Sequence, residues 1–137
     1  MGIDYKGYKS DLTRMFFLGT IPRFVYEANA AVEAAQQKAI EVIKANVPVA
    51  EADRLARKRL AENKLEEFFG HSLGHGVGLE IHENPRLSQS SPVLFREGMV
   101  VTVEPAVYLP NQFGIRIEDM VLVQKSKCEV LSGNIDH

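Results

Sequence analysis

Residues 71 to 85, HSLGHGVGLEIHENP, hold three of the chain's four histidines, His71, His75 and His82, interleaved with Gly74, Gly76 and Gly78. A four-residue step would stack His71 and His75 on one helix face, a common way to present metal ligands. The glycines argue against a helix, because each costs about 1 kcal/mol in a helix interior and lets backbone pass close to a neighbour. The stretch predicts a loop running into a short strand, with its histidines aimed by tertiary structure. Three carboxylates stand in apolar surroundings elsewhere: Asp11 in SDLTRMFF, Glu104 in VVTVEPAV and Glu118 in IRIEDMVLV. An isolated buried carboxylate is costly, so a charge in an apolar strand is usually paired or bound to metal. One alone would more often lie on a solvated edge. Three of them with a glycine-bracketed His75 point to a carboxylate-rich metal site. Oxygen ligands with one imidazole suit Mn²⁺, Co²⁺, Zn²⁺ or Fe²⁺, and several carboxylates allow two ions to share bridging oxygens, as in two-metal hydrolysis.

The elements that must position these groups are legible in outline. YKSDLTRMFFL, Tyr8 to Leu18, reads as a strand with Asp11, Thr13, Met15 and Phe17 on one face. Pro22 opens a helix whose narrow stripe is Val25, Ala28, Val32, Ala35, Ala39 and Val42, suited to close packing on a sheet. After Pro48, Ala52, Leu55, Ala56 and Leu60 mark a second helix to about Glu67. PRLSQSSPVLFREG is a loop by composition. In MVVTVEPAVYL, Thr102 and Glu104 share a face opposite Val101 and Val103, and in GIRIEDMVLV, Arg116 and Glu118 share a face opposite Ile115 and Ile117. Pro110, Asn111 and Gly114 lie between these two strands, which predicts an antiparallel pair.

With 137 residues, 45% of them hydrophobic, the chain suits one compact domain or one piece of a larger one. The net charge of −2 gives no sign of nucleic-acid binding, and RLARKR, Arg54 to Arg59, reads as a solvated face balanced by nearby acids. Cys128 is alone and forms no internal disulfide, which fits a reducing compartment. With no leader-like opening and no apolar run near the ~20 residues of a membrane helix, a cytoplasmic location is expected.

SDLTR (Ser10 to Arg14), GHGVGLEIHENPRLS (Gly74 to Ser88), GMVVTVEPAVY (Gly98 to Tyr108) and GIRIEDMVLV (Gly114 to Val123) together resemble the C-terminal portion of the pita-bread metallopeptidases. Within that group they are most similar to the Xaa-Pro dipeptidases, or prolidases, and to aminopeptidase P; methionine aminopeptidases fit less well. The resemblance implies an α+β fold, a curved antiparallel sheet with flanking helices. It implies two divalent ions, Mn, Co or Zn, and a proline-containing dipeptide or short peptide as substrate. Asp11, His75, Glu104 and Glu118 match metal ligands, with Glu104 also a proton shuttle. His82 resembles a residue acting at the scissile peptide, and His71 one lining the pocket. Arg116 matches an arginine beside the last glutamate, and Arg86 one near the dipeptide's C-terminal carboxylate. His71 also reads as a plain wall residue, and Arg86 as a plain surface arginine.

The family pattern holds a further ligand, an Asp eleven residues before the Asp of SDLTR, a count that falls just ahead of Met1. Asp4 is a poor surrogate, since it lies an odd number of residues from Asp11 on a regular strand. Residues 1–137 therefore read as the C-terminal portion of a catalytic domain, without the first half of its fold. Such a chain is expected to hold one ion tightly at most, and to self-associate or recruit the missing half. A peptidase impaired in isolation is the first reading. The second is a non-catalytic peptidase-like module that binds peptide or protein, although such a module has no physical need for four retained ligands.

Overall fold

The computed structural model describes residues 1–133. Its centre is a five-stranded antiparallel sheet in the order β4-β3-β5-β8-β9, built from β3 (Gly74–Gly76), β4 (Glu83–Leu87), β5 (Val100–Val103), β8 (Asp119–Val123) and β9 (Cys128–Val130). Two hairpins flank it, β1 (Gly2–Tyr5) with β2 (Tyr8–Asp11), and β6 (Ala106–Leu109) with β7 (Phe113–Arg116). Two helices, α1 (Arg23–Ile40) and α2 (Val49–Ala61), pack on each other and on the sheets.

The alanine stripe explains the close approach of α1. Ala28, Ala31, Val32, Ala35 and Ala39 are buried, and small side chains let Gln36 Nε2 reach the Val103 carbonyl on β5 at 3.0 Å. Pro22 and Pro48 precede the two helices, where a missing backbone donor costs nothing. Phe69, Leu73, Leu87, Phe95, Val101, Val103 and Ile115 fill the space between helices and sheet. Cys128 sits at its margin, the thiol donating to the Ile40 carbonyl.

Several predicted boundaries shift. The strand expected over Tyr8 to Leu18 ends at Asp11, because its ladder ends with the Gly2–Asp11 pair and only an isolated Thr13–Glu118 bridge follows. The second helix stops at Ala61, since Lys64 takes φ 58° in the left-handed region, and a short 3-10 turn covers Glu66–Phe68. Pro85 to Leu87, assigned to the loop by composition, belong to the strand Glu83–Leu87; Pro85 is admitted because the ladder shifts register between His75 and Gly76. The two long strands each break. β5 ends before Glu104-Pro105, and β7 ends before Ile117-Glu118, as the chain leaves the main sheet for the β6–β7 hairpin and returns. Arg57 is not on a solvated face, since it pairs with Asp53, which is wholly buried.

The glycines of the histidine stretch do bring backbones together. A Cβ on Gly74 would stand 2.0 Å from the Thr102 carbonyl oxygen, and one on Gly76 would stand 2.4 Å from that of Asn84. Both obstacles are backbone atoms that cannot swing aside. Gly74→Ala is therefore expected to destabilise the chain by about 1–3 kcal/mol or more, as overpacking does; a urea transition within about 0.5 kcal/mol of wild type contradicts this reading of the strand.

Candidate metal centre

Asp11 closes β2, His75 is the middle residue of β3, and Glu118 stands just before β8. Their ligand atoms all lie within 4.8 Å of one another, although the residues span more than a hundred positions. Glu118 is held twice by Thr13: its N–H donates to the Thr13 carbonyl at 3.1 Å, and the Thr13 hydroxyl donates to Oε2 at 2.5 Å. The Lys9 N–H donates to the Gly78 carbonyl at 2.7 Å and ties the strand carrying Asp11 to the histidine stretch. Asp4 lies outside the cluster, exposed and paired with Lys9.

Glu104 joins from the break after β5. Its N–H donates to the Leu73 carbonyl at 2.8 Å, and its Oε1 lies 3.2 Å from His75 Nε2 and accepts from the Thr102 hydroxyl at 3.1 Å. Its Oε2 accepts from Arg116 Nη1 at 3.0 Å. The same Thr102 hydroxyl accepts the His75 N–H at 3.1 Å, so one side chain orients both groups. His75 Nδ1 donates to its neighbour's carbonyl, Gly76 O, at 2.9 Å, which leaves Nε2 as the nitrogen facing the carboxylates.

The charges expose what the cluster lacks. Burial raises the pKa of Glu118; the Thr13 hydroxyl opposes this, and the Glu104 and Asp11 charges add to it. Among the described residues neither Asp11 nor Glu118 forms an ion pair with Lys or Arg. Burial raises and the His75 and Arg116 contacts lower the pKa of Glu104, with lowering the net result. Burial works against a charged His75, but its contacts with Glu104 and Gly76 prevail and its pKa is raised. A divalent cation among these oxygens and Nε2 would supply the missing positive charge, so the donor set fits a metal.

A cavity of about 680 Å³ adjoins the cluster, lined by His75 and Glu104 together with His71, His82, Arg86 and Arg116. The His82 ring is exposed and lies 4.3 Å from that of His75, centroid to centroid. Arg86 is exposed on β4, directly opposite His75 in the ladder. Burial lowers the pKa of His71, whose Nδ1 donates to the Ser72 carbonyl at 2.8 Å, while its Nε2 is buried without a partner.

Three groups at the site were not singled out from sequence. Tyr108 accepts a hydrogen bond from Arg116 Nε at 3.0 Å and faces the His71 ring. Gly114 opposite it was the available signal, because a Cβ there would meet the Tyr108 ring at 2.8 Å. Asp53 and Arg57 on α2 hold the histidine stretch by its backbone: Asp53 accepts from the Leu73 N–H, and Arg57 donates to the Phe69 and His71 carbonyls. Alternating charge on a helix gives no sequence cue for that inward turn.

Because the folded pKa of His75 lies above 6.5, its protonated form stabilises the metal-free chain below pH 6.5, and that contribution is lost as pH rises through the folded value. In EDTA, denaturation at a series of pH values should show wild type losing its margin over His75→Gln across that window. A margin independent of pH contradicts the His75–Glu104 pairing.

Comparison with known proteins bears on the family and the fold. The profile of Metallopeptidase family M24 matches residues 1–125. The chain is 45% identical over 126 residues to the Xaa-Pro dipeptidase of Pyrococcus horikoshii, covering 92% of this chain and 36% of that one. It is 42% identical over 132 residues to that of Pyrococcus furiosus, covering 96% and 38%. The solved prolidase from Pyrococcus furiosus superposes with a TM-score of 0.95 at 41% identity, covering 98% of this chain and 40% of that one. An X-Pro aminopeptidase from Thermotoga maritima gives 0.92 at 42% identity, covering 96% and 37%. The chain thus spans well under half the length of these relatives, and its antiparallel sheets and packed helices are part of their pita-bread fold.

Proposed function

Because this chain belongs to metallopeptidase family M24, we propose that residues 1–137 are the C-terminal portion of a catalytic domain that hydrolyses Xaa-Pro bonds in dipeptides or short peptides. The observation that carries this reading is the convergence of Asp11, His75 and Glu118 beside Glu104. Bound divalent ions, two in the whole domain, would polarise the scissile carbonyl and bring the pKa of a water toward neutrality. The chain's own residues supply the rest. Asp11, His75, Glu104 and Glu118 would hold the ions, with Thr13 and Thr102 fixing the directions of the two glutamates. Glu104 Oε1, already against an imidazole, is the atom placed to take and return a proton.

His82 stands over the ligand His75 with its ring exposed, where it can hydrogen-bond a substrate's peptide oxygen as charge develops. Arg86 and Arg116 give the same cavity positive charge suited to a substrate carboxylate, while His71 lines it and is backed by the Tyr108 ring. Among the described residues no helix is long and apolar enough to cross a membrane. A reducing cytoplasm suits the half-buried free thiol of Cys128. Ile3, Phe16 and Leu18 are 60%, 72% and 89% exposed, which supports self-association or pairing with the remainder of the domain.

In a longer enzyme containing this segment, Glu104→Ala is expected to lose metal and activity together. His82→Ala should keep its metal and lose about 10²–10⁴-fold in kcat. Metal analysis beside Xaa-Pro hydrolysis separates the two, and release of metal by His82→Ala would show that the histidine roles are wrong. The 137-residue chain alone should show little Xaa-Pro hydrolysis and sediment as an associated species. A monomer with the turnover of a full-length relative contradicts that part of the proposal.

A further inference from the structure

Arg14 closes the SDLTR motif and does not reach the cavity, yet its side chain is only 6% exposed. One guanidinium gathers four acceptors from three parts of the chain. Nη1 donates to the Thr13 carbonyl at 3.2 Å and the Glu118 carbonyl at 2.7 Å; Nη2 donates to Asp119 Oδ1 at 2.6 Å and the Ser132 carbonyl at 3.2 Å. Asp119 Oδ1 also accepts from the Ser132 hydroxyl at 2.6 Å, and that hydroxyl accepts the Met120 N–H at 3.1 Å. The fork therefore spans from the segment that follows Asp11 to the backbone of Glu118 itself.

We propose that Arg14 is a positioning residue that fixes the separation of Asp11 and Glu118 and thereby sets the affinity of the cluster for a divalent cation. The inference rests on the function proposed above. Asp11 and Glu118 repel each other, and the backbone pairing between their segments is an isolated bridge at Thr13 rather than a continuous ladder. The Arg14 charge is taken up by Asp119, so it holds the frame without competing as a counter-ion at the cluster. A planar fork is required for this, because an ammonium, with three donors, could not direct hydrogen bonds to all three carbonyls and the carboxylate at once.

The test uses the 137-residue chain with Co²⁺ as probe, read by titration and by the visible ligand-field bands. Arg14→Met is expected to weaken Co²⁺ binding about 10–100-fold, the usual effect of losing a group that orients ligands, and to alter the bands. Arg14→Lys should recover only part of both. Asp119→Asn, a milder change, should move both in the same direction and serves where Arg14→Met fails to fold. Ile43→Ala, a core truncation at a residue 1% exposed, should lower stability and leave affinity and bands at their wild-type values. Wild-type affinity and bands in Arg14→Met or Asp119→Asn would overturn the inference, as would an equal change in Ile43→Ala. A wild-type chain that binds no Co²⁺ also overturns the inference, whereas the proposed function stands or falls separately on metal content and hydrolysis in the longer enzyme.

Discussion

Asp11 and Glu118 bring like charges into a partly buried space, and no Lys or Arg is ion-paired to either among the described residues. Folded domains are stable by only about 0.1 kcal/mol per residue, so such an arrangement persists only where the surrounding backbone enforces it. Much of the fold reads as that enforcement. Gly74 and Gly76 let three strands close around His75, and Thr102 binds both its N–H and Glu104. Thr13 and Arg14 pin Glu118 from the other side. The α1 stripe and the buried Gln36 link press the helix layer onto the strand that leads into Glu104.

The helices and the central strands were readable because their signals are local: the alanine repeat, the prolines before each helix, the alternation around Thr102. The site residues were readable because charge in apolar sequence is anomalous. The breaks were not. Alternation runs through VVTVEPAV and IRIEDMVLV without interruption, yet the Glu104 and Glu118 N–H groups bond to Leu73 and Thr13 rather than to a neighbouring strand of the same ladder. Both glutamates thus sit where the chain changes sheets, a tertiary decision invisible in pattern. Asp53 and Arg57 were misplaced for a related reason, since an i,i+4 acid–base pair looks the same whether it faces water or anchors a buried backbone.

Family membership and geometry bear on different questions. Membership in metallopeptidase family M24 accounts for the motifs and the fold, and the chain spans 36% and 38% of the two Pyrococcus relatives. The geometry speaks to the first step alone, whether these side chains can hold a cation. Nδ1 of His75 is committed to a carbonyl, Nε2 faces oxygen, and Glu118 is made less willing to ionise by burial and by its neighbours. Each of these features is one a bound cation would satisfy.

Anomalous diffraction from crystals of this chain grown with Co²⁺ tests that claim most directly. A peak is expected among Asp11, His75 Nε2 and Glu118, with Glu104 at its margin and the His82 ring outside bonding distance. A peak seated on His82 or at some other surface, with the Asp11–His75–Glu118 cluster empty at saturating Co²⁺, would contradict it.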